Sequence, residues 1–249
     1  MTTVTAPPFP VVVAPRVATA VMNRWFVVIG AILIQLCLGA IYAWSVFTKA
    51  LVTEPFNFTK TQTQVIFSVA LGTFAVFTII GGRWQAHVAP ALVARVGGVL
   101  LAIGYIIAYY MGTSFAGLIA AIGVIGGAGI GLAYVVPIAV GVKWFPDKKG
   151  LITGLAVAGF GFGALLWVQL ASSWGNWTGL IARVGVSHTF LYYGVVFFVL
   201  ILIGSLWMKN PPAGWSPPGW TAAAAGKASA GTTASFEPAR MLATPQFWQ

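Results

Sequence analysis

The chain has 249 residues, of which 59% are hydrophobic and only 6% are charged. A soluble domain carries about 25% charged residues, because its surface faces water. So few charges cannot cover a water-facing surface, which excludes a soluble globular protein. The composition predicts an integral membrane protein whose apolar surface faces the lipid bilayer.

The formal net charge of +10 reflects scarce acidic residues more than a basic patch, since the chain has 13 Lys and Arg but only three Asp and Glu. Proteins that bind nucleic acids collect Lys and Arg on one face to neutralise phosphates. Here no basic cluster exceeds the pair Lys148-Lys149. The charge pattern therefore argues against a nucleic-acid partner.

Six apolar stretches are long enough to cross a hydrocarbon core, which takes about 20 residues of helix. In lipid the backbone must satisfy its own hydrogen bonds, so continuous apolar runs of this length are expected to be helices. The predicted fold is an all-α transmembrane bundle of six helices. The predicted spans are residues 26–47, 64–82, 92–111, 115–142, 151–171 and 189–208.

The connecting segments separate the basic residues by side. With a cytoplasmic N-terminus, only Lys49, Lys60 and Arg183 of the 13 Lys and Arg fall on the outer side. Cytoplasmic segments of membrane proteins carry an excess of Lys and Arg. We therefore expect a multi-pass protein of the plasma (inner) membrane with both termini in the cytoplasm.

The segments outside the 24–209 transmembrane domain differ from it in composition. Residues 1–23 contain several prolines and are predicted to be a disordered cytoplasmic N-terminus. Residues 210–240 are rich in Pro, Ala, Gly and Ser, which is typical of a flexible linker. Residues 241–249 become apolar and aromatic again, and we expect them to be the start of a truncated seventh helix.

The glycine-rich stretch 126–131 superficially resembles a nucleotide-binding loop, but that loop requires a preceding strand in a βαβ unit. Here Gly123, Gly127 and Gly131 recur every four residues inside an apolar span. This spacing puts them on one helix face, where small residues let another helix approach closely. The pattern favours helix packing, and Gly159 and Gly163 repeat it in the fifth span.

Polar groups inside the spans are almost all uncharged. Gln35, Gly39 and Tyr42 fall on one face of the first helix, which either lines a cavity or hydrogen-bonds to a neighbouring helix. The sequence Gly39-Ala40-Ile41-Tyr42 recurs in the fourth span as Gly131-Leu132-Ala133-Tyr134. Inverted three-helix repeats, which many transporters contain, make spans one and four equivalent.

The turn between the fourth and fifth spans is the most polar one. Asp147 is predicted to cap the fifth helix, because the exposed N–H groups of a helix start favour an anion. Lys148 and Lys149 hold the turn in the cytoplasm, where it acts either as an anchor or as a gate latch.

No catalytic or metal-binding constellation is present in the sequence. His87 and His188 are far apart, Cys37 is the only cysteine, and no acidic residue lies at ligand spacing to them. No Ser/His/Asp set can be assembled either. We therefore expect neither an enzyme nor a metal or cofactor site.

Several stretches together resemble the oxalate/formate antiporter family of the major facilitator superfamily. The most specific of these reads Lys-Trp-Phe-Pro-Asp-Lys-Lys-Gly-Leu, at residues 143–151. The other resembling stretches are residues 23–26, 39–47, 81–85, 158–163 and 241–248.

The resemblance implies a twelve-helix transporter of small organic anions that works by rocking-type alternating access. This chain would be its N-terminal half, and the missing C-terminal six-helix half would supply the cationic substrate-binding residues. By matched position the residues that line the cavity in this half are Tyr42, Gln64, Tyr134 and Phe160, to which we add the neighbouring Trp44.

The loop between the second and third spans departs from the superfamily pattern Gly-x-x-x-Asp-Arg-x-Gly-x-Arg. Gly82 is kept, but Ala86 and His87 stand at the Asp and Arg positions, and Ala89 and Ala91 at the later Gly and Arg. The resemblance assigns gating to this loop, so the gating equilibrium is expected to be altered. We group Gly82 with Asp147, Lys148 and Lys149 as candidate gating residues.

A different function class is a self-sufficient six-helix channel or a homodimeric half-transporter. Such a protein would need no second half. The sequence features described above leave this alternative open beside the transporter half.

The orientation can be tested by cysteine labelling in a Cys37→Ala background. We expect a Lys149→Cys variant to resist a membrane-impermeant maleimide in intact cells and to react in inverted vesicles, because its turn is cytoplasmic. A matched Lys60→Cys variant should show the opposite pattern. Labelling of Lys149→Cys in intact cells would contradict the predicted orientation.

Overall fold

The computed structural model describes residues 22–220 and Thr244. Most of the predicted N-terminal tail, most of the predicted linker and all of the predicted seventh helix except Thr244 lie outside the described residues. The described chain contains six helices that are long and apolar enough to span a membrane, which confirms the predicted all-α fold. They are α1 (Trp25–Leu51), α2 (Lys60–His87), α3 (Pro90–Met111), α4 (Phe115–Trp144), α5 (Lys149–Ala171) and α6 (Leu180–Ser205).

The start of the last helix differs from the prediction. We expected the sixth span at 189–208, whereas α6 runs over Leu180–Ser205 with Gly185 at φ 80° and ψ 170°. The polar residues Arg183 and His188 made the first two turns look like a loop. Gly185, with its positive φ, forms a kink within α6. The kink joins a short polar segment at the outer end to the long apolar segment that follows, so α6 includes both segments.

Local signals explain where three of the helices begin. Thr59 and Gln62 form a reciprocal capping box at α2, with N···O distances of 2.8 and 3.1 Å. The Ser114 hydroxyl accepts a hydrogen bond from the Gly117 N–H at the start of α4. Pro90 occupies the first turn of α3, where a missing N–H costs nothing.

Two of the helices change their winding along their length. In α1 the segment Gly39–Ala43 is a 3-10 helix, and in α4 the segment Ile119–Gly126 is a π-helix. The switch to 3-10 winding leaves the Leu36 carbonyl without its α-helical N–H partner. The indole N–H of Trp167 on α5 donates to this carbonyl at 2.8 Å.

The helices differ in how deeply they lie in the bundle. In the most apolar window of each helix, 67% of residues are buried in α1 and α4 but only 17% in α2 and 33% in α5. The inner helix α4 packs on α1, α2 and α3, while α5 packs mainly on α1. A large part of α2 and α5 therefore faces away from this bundle.

Glycines let the backbones approach closely at these contacts. A Cβ atom at Gly127 would lie 2.7 Å from the Ala70 carbonyl oxygen of α2, and one at Gly131 would lie 2.6 Å from that of Phe74. Such distances are too short for any side chain. The predicted packing role of the Gly123/Gly127/Gly131 face is confirmed, and Gly163 makes the same kind of contact with the Leu36 backbone of α1.

Side-chain hydrogen bonds add cross-links between the helices. The indole of Trp44 on α1 donates to the Thr63 carbonyl of α2 at 2.9 Å, and the Tyr193 hydroxyl of α6 donates to the Trp167 carbonyl of α5. The Arg95 guanidinium of α3 donates to the Ser205 hydroxyl of α6 at 3.0 Å. Both Trp44 and Trp167 thus act as hydrogen-bond donors between helices.

We predict that Gly163→Ala destabilises the bundle by about 1–3 kcal/mol, because the added methyl overlaps the Leu36 carbonyl. Unfolding of the detergent-solubilised protein, followed by circular dichroism, measures the change. Gly154→Ala on the same helix is the control, since a Cβ there meets nothing within 4 Å. Equal stability of the two variants would contradict the close contact between α1 and α5.

Candidate functional site

Five aromatic rings from four helices meet in what we call the aromatic cluster: Tyr42 of α1, Phe67 and Phe74 of α2, Tyr134 of α4 and Phe160 of α5. Phe160 is at its centre, with ring centroids 5.4 Å from Tyr42, 5.1 Å from Tyr134 and 6.3 Å from Phe74. Tyr42 and Tyr134 both meet Phe160 edge-on, an arrangement that aromatic quadrupoles favour. Phe160 lies halfway along α5, so the cluster is near mid-span.

The repeated Gly-x-x-Tyr sequence positions the two tyrosines of the cluster. A Cβ at Gly39 would overlap the Phe160 carbonyl, and one turn further along α1 Tyr42 contacts the Phe160 ring. In the same way Gly131 lies against the Phe74 carbonyl, and Tyr134 contacts the Phe74 ring at 5.2 Å. Each glycine brings a neighbouring helix close enough for the following tyrosine to reach its phenylalanine.

An open cleft of about 110 Å³ adjoins the cluster and is lined by Tyr42, Trp44, Ser45, Gln64 and Phe67. The side chains of Tyr42 and Gln64 are exposed here, and Tyr42 retains 47% of its accessible surface. Neither side chain makes a hydrogen bond within the described residues, and neither does the hydroxyl of Tyr134. Ser45 also lines the cleft and likewise makes no side-chain hydrogen bond within the described residues. The cleft and cluster therefore present four polar side chains that are free to bind a ligand.

The structure brings all five predicted site residues into one region, but it gives them different surroundings. Tyr42, Trp44 and Gln64 share the cleft, while Tyr134 and Phe160 join it through ring contacts with the cluster. Trp44 is 6% exposed and its N–H is bonded to Thr63, so it offers the cleft an apolar ring face and no donor.

Phe67 and Phe74 belong to the cluster but are not among the site residues predicted from the sequence. A signal was available, because Gln64, Phe67 and Phe74 recur at i, i+3 and i+10 and so share one face of α2. Two phenylalanines in an apolar span are, however, more often ordinary packing residues.

The polar face predicted on α1 is divided between two environments. Tyr42 opens onto the cleft, but Gln35 is completely buried next to Gly159 of α5. Neither amide atom of Gln35 has a hydrogen-bond partner in the part of the chain that the structure describes. Of the two alternatives for this face, Tyr42 therefore fits the cavity-lining role, while Gln35 is buried and makes no hydrogen bond to any of the described helices.

The predicted cap of the fifth helix by Asp147 is wrong. No side chain caps α5; instead, the Asp147 carboxylate accepts a hydrogen bond from the Arg24 guanidinium at 2.8 Å. Arg24 also lies over the Phe145 ring, 4.4 Å from its centroid. Arg24 precedes α1, which packs directly on α5, so this ion pair ties the α4–α5 turn to the start of α1 on the predicted cytoplasmic side.

The other candidate gating residues are placed apart from this ion pair or at its edge. The Lys148 ammonium lies 6.0 Å from the Trp25 ring centroid, and Lys149 is the first residue of α5. Gly82 lies within α2, where a Cβ would meet nothing within 4 Å. Ala86 and His87, predicted as loop residues, belong to the last turn of α2, which leaves only Val88 and Ala89 between α2 and α3.

The cleft contains no charge of its own, since no Asp, Glu, Lys or Arg is among its lining residues in the described chain. Tyrosine hydroxyls and the glutamine amide are neutral donors that can hydrogen-bond an anion's oxygens. This wall can orient a small polar ligand among aromatic edges, but a full negative charge would need a cation from elsewhere.

Comparison with known families matches residues 27–248 to the Major Facilitator Superfamily. The chain belongs to this superfamily of transporters, and it is a multi-pass membrane protein.

Among individual proteins, the uncharacterized MFS-type transporter YhjX of Escherichia coli is 30% identical over 76% of this chain and 45% of its own length. The oxalate:formate antiporter of Oxalobacter formigenes is 27% identical over 91% of this chain and 50% of its own. The apicoplast pyruvate carrier 1 of Toxoplasma gondii is 30% identical over 64% and 37%. The chain thus spans about half the length, or less, of these curated relatives.

The hydrogen-bond assignments predict different effects for two substitutions in the cleft. Trp44→Phe should lower the free energy of unfolding by about 1–2 kcal/mol, because it removes the bond to Thr63 and part of a buried ring. Tyr42→Phe should leave stability within about 0.5 kcal/mol, since the lost hydroxyl has no partner. Thermal unfolding in detergent checks both, and an equal loss in the two variants would contradict these assignments.

Proposed function

We propose that this chain forms one half of a secondary active transporter for small organic anions such as oxalate, formate or other carboxylates, of the oxalate/formate antiporter type. The observation that supports this most directly is the cleft at the aromatic cluster. Tyr42 and Gln64 line this cleft, Tyr134 belongs to the adjoining cluster, and none of the three side chains has a hydrogen-bond partner within the described residues. Unpartnered polar groups within a membrane span are costly and commonly mark a substrate path.

The chemistry of this wall suits a carboxylate held by neutral groups. The phenol O–H and the amide N–H groups can donate hydrogen bonds to carboxylate oxygens. The positive edges of the aromatic rings tolerate an anion nearby. The negative charge itself would be countered by a cation on an opposing wall. We propose that a second six-helix half supplies that wall, in keeping with curated relatives of about twice this length.

Alternating access would then operate between the two halves. We propose that the exposed faces of α2 and α5 adjoin the partner half and that the Arg24–Asp147 pair keeps the cytoplasmic ends of α1 and α5 together. The turn 147–149 and Gly82 would act in this gating. The charge distribution supports a cytoplasmic location for that end of the bundle and for both termini, in the plasma (inner) membrane.

Ligand binding to the purified chain tests the proposal. We expect weak, saturable binding of formate, detected by saturation-transfer NMR, and about ten-fold weaker binding by a Tyr42→Phe/Tyr134→Phe double variant, because two neutral hydrogen bonds are lost.

Tyr192→Phe serves as the control for this experiment. Tyr192 is an exposed tyrosine of α6 outside the cluster, so its variant should bind formate like the parent chain. Binding that is unaffected in the double variant would refute the assignment of the cleft as the substrate site.

A further inference from the structure

A second cavity, smaller and less open, adjoins the cleft between α1, α2, α3 and α4. Trp44 and Phe67 line both spaces, so the cavity and the cleft meet at these two rings. The remaining surface of the second cavity is mainly apolar and includes Ile41, Leu101, Ile122 and Gly126. The cleft is therefore open and includes the polar side chains of Tyr42, Ser45 and Gln64, while the adjoining cavity is smaller and almost wholly apolar.

The free space in this cavity is about 10 Å³. That is close to the least volume that can hold one water-sized group, which is also about the size of a methyl. A water bound there would need two to four polar partners. Among the lining side chains only the hydroxyl of Tyr105 and the indole of Trp44 are polar, and the indole N–H is already bonded to Thr63. The cavity is thus better suited to a small apolar group than to water.

One of the two shared rings is fixed and the other is less constrained. Trp44 is held by its 2.9 Å hydrogen bond to the Thr63 carbonyl. Phe67 is half-buried and its nearest aromatic partner is Tyr42, at 6.5 Å between centroids. Of the two rings at this junction, only Trp44 is fixed by a side-chain hydrogen bond in the described chain.

We propose that this cavity is a subsite for the short apolar tail of a substrate whose carboxylate lies in the cleft. The inference rests on the proposed function and names, within its substrate class, monocarboxylates with a tail of one or two carbons as the preferred substrates. A tail that leaves water for this cavity gains about four-fold in affinity per buried methyl or methylene group. A dicarboxylate such as oxalate gains nothing, because its second carboxylate would lose its hydration in an apolar cavity.

Gly126→Ala is the variant that fills the cavity without disrupting the fold. A Cβ at Gly126 would lie 3.4 Å from the Ala121 carbonyl oxygen and 4.0 Å from Leu101 Cδ1, both ordinary contacts. Gly154→Ala in α5 is the matched control, because it adds the same methyl in open space. Neither residue is among the polar groups assigned to carboxylate binding.

The experiment uses the purified full chain in lipid nanodiscs with sodium formate, sodium propionate and sodium oxalate. Saturation-transfer NMR gives the affinities of formate and propionate, and oxalate is measured by competition. We expect propionate to bind at least four-fold more tightly than formate, with its methyl protons saturated more strongly than its methylene protons. Gly126→Ala should remove this preference and leave formate binding unchanged, whereas Gly154→Ala should retain it.

A second variant keeps the test decisive if Gly126→Ala fails to fold. Ile122→Ala enlarges the cavity and should shift the preference from propionate towards butyrate. Equal affinities for formate and propionate in the parent chain, or a preference that survives Gly126→Ala, would overturn the tail subsite while the carboxylate site stands. Absence of binding by all three anions would overturn the proposed function and the subsite together.

Discussion

The stability of the bundle depends on attraction between helices in the lipid bilayer, a solvent as apolar as the helices' own side chains. In lipid, burial of one apolar helix against another gains little from the hydrophobic effect, so close packing and hydrogen bonds must supply the attraction. This chain meets that constraint with glycines wherever backbones meet and with side-chain donors that reach carbonyls of another helix. The contact between α1 and α5 uses both, through Gly163 and through the Trp167 bond to Leu36.

The same devices build the candidate site. Gly39 and Gly131 occupy equivalent places in α1 and α4, and each lies against the backbone of a phenylalanine on a peripheral helix. The tyrosine one turn later then meets that ring, Phe160 for Tyr42 and Phe74 for Tyr134, and both tyrosines also contact Phe160. Inverted repeats relate first and fourth helices in many transporters, and here the repeat has a direct packing consequence.

Charge is kept at the ends of the helices, away from the aromatic cluster. The only ion pair in the part of the chain that the structure describes joins Arg24 to Asp147. Towards mid-span the polar groups are neutral, and Gln35 is buried without a partner among the described residues. An unpaired buried amide destabilises the fold by roughly 1–3 kcal/mol, so Gln35 makes the contact between α1 and α5 a weak point in an otherwise tight bundle.

The six-helix fold could be predicted from the sequence because membrane spanning is a property of single segments. Twenty apolar residues form a helix in lipid whatever their neighbours are, and a glycine every fourth residue marks a contact face. The resemblance of short motifs likewise selected Tyr42, Gln64, Tyr134 and Phe160. The start of α6 was misjudged because Gly185 joins a polar turn to an apolar one, which no single-segment pattern reveals.

Only the tertiary structure shows which residues from segments distant in sequence contact each other. Arg24 and Asp147 are 123 residues apart, and their pairing replaced the local cap that helix-start chemistry favoured. The placement of Phe67 and Phe74 in the cluster, and of an apolar cavity next to Trp44, depends on how α1, α2 and α4 cross. Sequence determines which segments enter the membrane and which faces can touch, because those properties are local. Which side chains meet is decided by crossing geometry, because it depends on all six helices at once.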